Sequence, residues 1–198
     1  SNKIVHVNLA KLSKSIYFPY PVVSIAVFIY SSFKSSNNFI PNPEFKSISI
    51  NLDNFPMTML YRENNPEKIS ESTDPIFSLH RQAVSFLEKY TQHPFPFKKM
   101  DFATIPVFQY GGMEHVGAIQ YRESKLFLDN SATDSEKLSR GKLIAHEVSH
   151  MWFGDLVTMK WFNDVWMKEV FANFMADNIM NPAFPNINHK LQFLATHY

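Results

Sequence analysis

The residues of this chain best suited to chemistry lie in one short stretch, HEVSH, which runs from His146 to His150. On a helix, residues four positions apart lie on the same face, so these two imidazoles can point at one ion. Histidine nitrogens bind zinc at about 2.0–2.1 Å. Glu147 lies about 100° around such a helix, where its carboxylate can reach a metal-bound water rather than the metal. An amphipathic helix that carries two histidines on its polar face stays open as the alternative at this point.

A catalytic zinc site needs a third protein ligand and one open position. Eighteen residues lie between His150 and Glu169, which stands among apolar residues in VWMKEVFANF. A carboxylate in such surroundings needs a partner, and a metal would supply one. A helix, a turn and a returning antiparallel helix would bring Glu169 back to the histidine pair. We therefore predict one zinc ion per chain, bound by His146, His150 and Glu169; the alternative for Glu169 is a solvated face shared with Lys168.

A second motif, GGMEH, precedes the histidines and runs from Gly111 to His115. A glutamate on an edge strand beside a zinc ion can bind the free α-ammonium of a peptide, so that the substrate enters only by its N-terminus. We predict this role for Glu114. The backbone of Gly111, Gly112 and Met113 is predicted to pair with the substrate as an added strand. Without a zinc site beside it, Glu114 would be better interpreted as an exposed strand carboxylate.

Composition narrows the classes of partner and cofactor. The chain has 198 residues, of which 45% are hydrophobic and 15% aromatic, which is enough apolar material for a large core. The net charge is +1 and the basic residues are scattered, so nucleic-acid binding is not supported. Cysteine is absent, which leaves histidine and carboxylate as the ligands for any metal. No apolar run approaches the roughly 20 residues of a membrane-spanning helix.

Apolar periodicity predicts several strands. Alternation over residues 48–52 predicts one strand, and the run at 57–61 predicts a second. The apolar run VVSIAVFIY at 22–30 predicts a buried strand. DFATIP at 101–106 predicts another, and a turn then leads into a single strand over 113–123, MEHVGAIQYRE.

Polar segments, cap residues and the helical spacing of apolar residues predict the helices. The polar segment 62–74 is typical of a linker or surface loop. Asp74 followed by proline resembles an N-cap with proline at the first helical position, and it predicts a helix over 75–90. A second helix is predicted over 134–152, with Gly154 as its stop.

Asn163 or Asp164 is predicted to cap a third helix, which would run to about residue 177 and end before Pro182. Strands followed by helices predict an α+β arrangement.

These motifs together resemble a known family. The stretch HEVSHMWFGDLVTMKWFNDVWMKEVFANF resembles the HExxH-x18-E signature of the gluzincin aminopeptidases, the family of membrane alanyl aminopeptidase (aminopeptidase N) and leukotriene hydrolase. The match extends to WFG after the second histidine, to LVTM, and to W-x-x-E-x-F-A around Glu169. GGMEH is similar to the G-x-M-E-N exopeptidase motif of the same family, and GAIQYRE to the strand that follows it. Clear similarity spans residues 57–180.

The resemblance implies a zinc-dependent aminopeptidase that hydrolyses the N-terminal peptide bond of peptides. Glu147 would be the general base and Glu114 would bind the substrate α-amine. The implied fold is part of a thermolysin-like zinc-peptidase catalytic domain over residues 63–198, preceded by β-strands from the end of an N-terminal β-domain over residues 1–62. The family's oxyanion-supporting tyrosine is expected beyond Tyr198. The chain is therefore expected to be a fragment, weakly active or inactive, that lacks the C-terminal part of the same protein.

The chain departs from the family pattern at four positions. His115 replaces the usual asparagine of the exopeptidase motif. Lys168 and Val170 flank Glu169 in place of asparagine and glycine, and Asp155 stands where asparagine is common. The change at His115 bears on how the strand is fixed and on which N-terminal residue is preferred, and none of the four changes removes a ligand or the base. Asp155 and Asp164 are predicted to orient the histidines.

Two alternatives to the aminopeptidase stay open, a non-catalytic zinc-binding scaffold and an epoxide hydrolase of the leukotriene hydrolase kind. A scaffold would usually have lost the base or a ligand, whereas His146, Glu147, His150 and Glu169 are all present. No residue of the chain specifically requires epoxide chemistry. The preferred N-terminal residue, the oligomeric state and the compartment are undetermined, and bacterial periplasm and cytoplasm are both compatible with the sequence.

Overall fold

A computed structural model of the chain describes residues 45–197, with side chains up to residue 194. The strand predicted over 22–30 lies outside the described residues. Within them, five strands form a sheet: β1 (Lys46–Leu52), β2 (Phe55–Tyr61), β3 (Met100–Ile105), β4 (Gly112–Met113) and β5 (Ile119–Arg122). Their order across the sheet is β1-β2-β3-β5-β4, so β4 lies at one edge.

The helices of the described part of the chain are α1 (Pro66–Thr91), α2 (Glu123–Leu126), α3 (Asp134–His150), α4 (Trp166–Met180) and α5 (His189–His197). None of them is both long and apolar enough to cross a bilayer. The prediction of a fold that mixes strands and helices is confirmed. The sheet itself is also mixed, because β2, β3 and β5 run parallel whereas the two outer pairs are antiparallel.

The first two strands form the hairpin that alternation predicted. Ile48, Ile50 and Leu52 pack against the core from one face of β1. The turn consists of Asp53 and Asn54, whose φ angles are 52° and 61°. Two consecutive residues with positive φ match the right-handed twist of a hairpin, and Asp and Asn tolerate that conformation better than most residues.

Helix α1 crosses over from β2 to the parallel strand β3, and it is longer than predicted. It begins at Pro66, where the Asn65 side chain accepts hydrogen bonds from the next turn. The prediction of a loop over 62–74 with a helix starting at 75 is therefore wrong. Pro75 lies inside the helix. Ser72, in the part predicted as loop, is buried and hydrogen-bonded in both directions to the backbone of Leu128 at 2.8 and 2.9 Å.

The strand predicted over 113–123 is also wrong in its length. The chain forms β4, turns, and returns antiparallel as β5. Gly117 in this turn has a φ of 72°, a conformation that favours glycine. The turn exposes one side of β4 as the sheet edge.

Helices α3 and α4 lie close to where they were predicted, with ends that differ from the predicted ones by about two or three residues. Helix α3 ends at His150, two residues earlier than predicted, and Gly154 follows with a φ of 138°. Helix α4 has no side-chain cap, so the prediction of Asn163 or Asp164 as its cap is wrong; a 3₁₀ turn over Phe162–Asp164 precedes it. Helix α5 was not predicted.

The predicted domain boundary at residue 62 falls between β2 and β3, which pair in this sheet over Met57–Leu60. The core beneath the sheet includes Met57, Met59, Phe102 and Tyr121 from the strands. Assignment of residues 1–62 to an N-terminal domain stays a prediction.

Candidate active site

Helix α3 presents both histidines of the HEVSH stretch from its last turns. The helix is fixed at its start by a capping box between Thr133 and Glu136. Along its length, Ile144 and Val148 are fully buried in the core. That packing sets the rotation of the helix, and it leaves the histidine face turned towards α4.

Helix α4 returns alongside α3 and brings Glu169 to the histidines, as the sequence predicted. Oε2 of Glu169 lies 3.2 Å from Nε2 of His146 and 3.5 Å from Nε2 of His150. The two Nε2 atoms are 3.1 Å apart. His150 is almost completely buried, whereas about half of the Glu169 side chain is exposed.

These three separations fit a tetrahedral metal site. Ligand atoms about 2.05 Å from a central ion, at tetrahedral angles, lie about 3.3 Å from one another. The observed values of 3.1, 3.2 and 3.5 Å lie around that distance. Hydrogen bonding to His146 is the main cause that lowers the pKa of Glu169, to about 2, so its carboxylate is ionised at neutral pH.

The hydrogen bonds at the far side of each imidazole also favour a cation. Nδ1 of His150 lies 3.1 Å from the carbonyl oxygen of Phe153, and Nδ1 of His146 lies 3.0 Å from Oδ1 of Asn173. Oxygen accepts in both cases, so each Nδ1 carries a proton, and each Nε2 has a free lone pair whenever its imidazole is neutral. Two lone pairs and a carboxylate oxygen then converge on one point, which a cation would stabilise.

Asn173 and the Phe153 carbonyl are the groups that orient the histidines, and neither was predicted from the sequence. The prediction of Asp155 and Asp164 in this role is wrong. Asp164 is exposed, and Oδ2 of Asp155 is buried without a hydrogen-bond partner among the described residues. Asn173 could have been found from its spacing, because it lies four positions after Glu169 on the same face of α4.

Glu147 lies beneath the edge strand, packed against the backbone of the GGMEH motif. A Cβ built on Gly112 would lie 2.7 Å from Cγ of Glu147, closer than real side chains approach. Only glycine therefore leaves room for this carboxylate. Glu147 is 4% exposed. Burial raises its pKa to about 8, although nearby His146 acts in the opposite direction.

The GGMEH motif is fixed from the side of β5. The guanidinium of Arg122 donates to three successive carbonyls, those of Phe108 at 2.8 Å, Gln109 at 2.7 Å and Tyr110 at 3.1 Å. The Arg122 backbone N–H donates to the carbonyl of Gly111 at 2.8 Å. This clamp holds the loop that enters β4.

Strand β4 itself consists of Gly112 and Met113, which pair with Tyr121 and Gln120 of β5. Because β4 is the last strand of the sheet among residues 45–197, its other side is an edge to which a further extended chain can pair.

Glu114 follows β4 directly and reaches the metal-ligand cluster. Ligand atoms of Glu114, His150 and Glu169 all lie within 4.8 Å of one another. Lys168 forms an ion pair with Glu114, a contact that the sequence did not predict. Burial alone would raise the pKa of Glu114, but the charges of His150 and Lys168 lower it below the ordinary value.

The sequence of this chain is similar to the sequences of known peptidases. Residues 77–198 match the family model described as "Peptidase family M1 domain". A protein of Sulfurisphaera tokodaii named "Probable aminopeptidase 1" is 40% identical over 140 residues, which are 67% of this chain and 18% of that protein. "Leucyl aminopeptidase" of Saccharolobus solfataricus is 41% identical over 110 residues, 56% of this chain and 14% of that protein.

"Endoplasmic reticulum aminopeptidase 2" of Homo sapiens is 43% identical over 112 residues, which are 56% of this chain and 12% of that protein. The chain therefore spans less than a fifth of the length of these relatives.

Proposed function

The chain belongs to peptidase family M1, and we propose that it carries the metal-binding and N-terminus-binding part of a zinc-dependent aminopeptidase site. The observation that carries the proposal is the convergence of two motifs far apart in the sequence. The helix pair supplies His146, His150 and Glu169, and the edge strand places Glu114 beside them. The aminopeptidase names of the relatives support peptide hydrolysis.

In this proposal, His146, His150 and Glu169 hold one zinc ion per chain. Bound zinc would polarise the scissile carbonyl and make its water more acidic. The donor set supports zinc, because two imidazoles and one carboxylate are typical of catalytic sites that keep an open position.

Glu147 is the proposed general base. Its carboxylate is nearly buried, and burial raises its pKa to about 8. A group with such a proton affinity is suited to taking a proton from water and later giving it to the leaving amine. The close contact with Gly112 fixes the position of the carboxylate under the strand that would bind the substrate.

Glu114 is the proposed binding group for the α-ammonium of the peptide. Gly111, Gly112 and Met113 would pair with the substrate backbone along the open edge of β4. A fixed ammonium at one end and strand pairing along the edge would place the first peptide bond next to the metal. This arrangement predicts a requirement for a free N-terminus.

We further propose that residues 63–198 are part of a thermolysin-like catalytic domain, and that a longer protein supplies the rest of the site. A peptide with a free N-terminus is then the substrate, and the remainder of the catalytic domain is the partner of this part. The small share of the much longer relatives that this chain matches supports this reading.

The proposal is tested with Glu147→Gln and His150→Ala, by measuring zinc per chain and hydrolysis of aminoacyl-anilides. We expect one zinc per chain in the wild type and in Glu147→Gln, and loss of zinc in His150→Ala. Hydrolysis should fall strongly in both variants. N-acetylated anilides, which lack the ammonium, should not be hydrolysed by any form.

Other results would favour the alternatives. Wild-type activity in Glu147→Gln, or zinc binding that persists in His150→Ala, contradicts the proposed roles. A protein that binds zinc and peptide, yet shows no turnover even when joined to the rest of its catalytic domain, would be a scaffold. Hydrolysis of an epoxide that depends on Glu147 would support an epoxide hydrolase.

A further inference from the structure

Lys168 occupies a central position among the acidic groups of the site, whereas the sequence suggested a location for it only in the alternative of a solvated face shared with Glu169. Its ammonium pairs with Oε1 of Glu114 and lies 3.1 Å from Oε1 of Glu169. The Lys168 side chain is 21% exposed and the Glu114 side chain 15% exposed. The lysine therefore lies inside the site.

The group that Lys168 presents to Glu114 is chemically the same as the group that the substrate would present. A lysine ammonium and a peptide α-ammonium both carry one positive charge and three N–H donors. Two such ions on one partly buried carboxylate would repel each other at close range. The two ammonium groups therefore compete for Glu114, and a peptide ammonium binds more weakly there while the lysine stays.

We propose that Lys168 is a tethered competitor of the substrate, whose ammonium occupies the α-ammonium position at Glu114 until a peptide displaces it. This inference rests on the proposed function, and it makes Lys168 a residue that sets the affinity for free N-termini. Substrate binding then includes the breaking of the Lys168–Glu114 ion pair.

The structure offers a second partner for the displaced lysine. The stem of Lys168 passes over Gly154, where a built Cβ would lie 3.4 Å from Cδ and 3.5 Å from Cβ of the lysine. The next residue is Asp155, whose Oδ2 is buried without a hydrogen-bond partner among the described residues. A rotation of the lysine side chain towards Asp155 would give the displaced ammonium a second carboxyl group within the site.

The test measures peptide binding directly, in a Glu147→Gln background that prevents turnover. Calorimetry compares Leu-Gly-Gly with N-acetyl-Leu-Gly-Gly on zinc-loaded protein. Lys168→Gln keeps much of the stem and removes the charge, whereas Lys168→Arg keeps a competing cation and serves as the conservative control. Bound zinc in each variant shows that the helix pair is intact.

If the lysine contact is populated about nine-tenths of the time, removal of the charge tightens peptide binding about tenfold. We expect this gain for Leu-Gly-Gly in Lys168→Gln, little change in Lys168→Arg, and no change for the acetylated peptide in either variant. In wild-type protein the same substitution should lower KM much more than it changes kcat.

Three results would overturn the inference: unchanged affinity in Lys168→Gln, weaker affinity, or an equal gain for the acetylated peptide. Glu114→Gln in the same background separates this failure from failure of the proposed function. If Leu-Gly-Gly binds no better than its acetylated form and Glu114→Gln changes nothing, the ammonium site itself is refuted. If that preference exists and depends on Glu114, only the role of Lys168 fails.

Discussion

Asn173→Ala is expected to weaken zinc binding without removing a ligand. Oδ1 of Asn173 lies 3.0 Å from Nδ1 of His146 and holds the proton on that nitrogen. Without this acceptor the imidazole can adopt the other tautomer, in which Nε2 carries the proton and has no lone pair for a metal. The ring also loses the contact that fixes its rotation.

The magnitude follows from the loss of one hydrogen bond at one of three ligands. A net hydrogen bond contributes about 0.5–1.5 kcal/mol, and 1.4 kcal/mol corresponds to a factor of about ten in a dissociation constant. Loss of a partner behind a metal-binding histidine typically weakens metal binding about 10–100-fold. We therefore expect a zinc Kd raised about tenfold. His150 keeps its backbone partner, the Phe153 carbonyl, so binding should be weakened and not abolished.

The assay is competition for zinc between the protein and a chromophoric chelator of known affinity. Asn178→Ala is the matched control, because Asn178 lies on the same helix and its amide donates only to the carbonyl of Phe174 within that helix. Asp155→Asn and Asp164→Asn test the orienting residues that the sequence suggested, and both should leave the zinc Kd nearly unchanged.

An unchanged zinc Kd in Asn173→Ala would refute the reasoning that this amide fixes the His146 tautomer. An equal loss in Asn178→Ala would show that the effect comes from the helix and not from the hydrogen bond. A larger loss in Asp155→Asn than in Asn173→Ala would restore the original prediction.

Three further predictions concern the base, the core and the metal. Gly112→Ala should displace Glu147 and lower kcat/KM about 100-fold, with zinc content retained. Gly111→Ala should lower kcat/KM far less, because its Cβ meets only the flexible end of the Leu143 side chain, at 3.3 Å. His80 is fully buried and burial lowers its pKa to about 4 from 6.5, so the unfolded chain binds a proton first as pH falls. The stability that neutral His80 contributes is present above about pH 6.5 and is lost towards pH 4. Denaturant unfolding should show that the free energy of unfolding falls by about 2 kcal/mol between pH 7 and pH 5, and this fall should be absent in His80→Gln. Removal of zinc with a chelator should lower Tm in the wild type and have little effect in His150→Ala.

Periodicity and spacing were sufficient to predict the helix pair and the meeting of Glu169 with the two histidines, whereas the approach of Glu114 to them was expected from the family resemblance of the GGMEH motif. The signals were local: two histidines four positions apart, and a carboxylate beyond a loop of the right length. Such signals do not depend on the details of how the two helices pack. The groups behind the histidines were not predictable in the same way. A backbone carbonyl such as that of Phe153 leaves no signature in the sequence. Asn173 cannot be told apart from other nearby polar residues as the partner of His146 until the rotation of the helix is known.

The errors at α1 have a different cause. Asn65-Pro66 and Asp74-Pro75 both have the form of a cap followed by proline, and local preference alone does not choose between them. The choice is made by tertiary contacts, because the helix buries Ser72 against the backbone of Leu128. Proline inside a helix costs about 3 kcal/mol, which such contacts must offset.

The closeness in sequence of the proposed ligands has a consequence for how the protein is made. His146 and His150 lie on α3 and Glu169 lies on α4, and these two helices follow one another in the chain, whereas Glu114 and Lys168 are separated by 54 positions. During synthesis the edge strand leaves the ribosome first, the histidines follow, and Glu169 arrives last. A nascent chain that ends before α4 offers only a two-histidine site. The metal would therefore bind only after α4 has been synthesised. It would then link α3 and α4, two helices that are close together in the sequence.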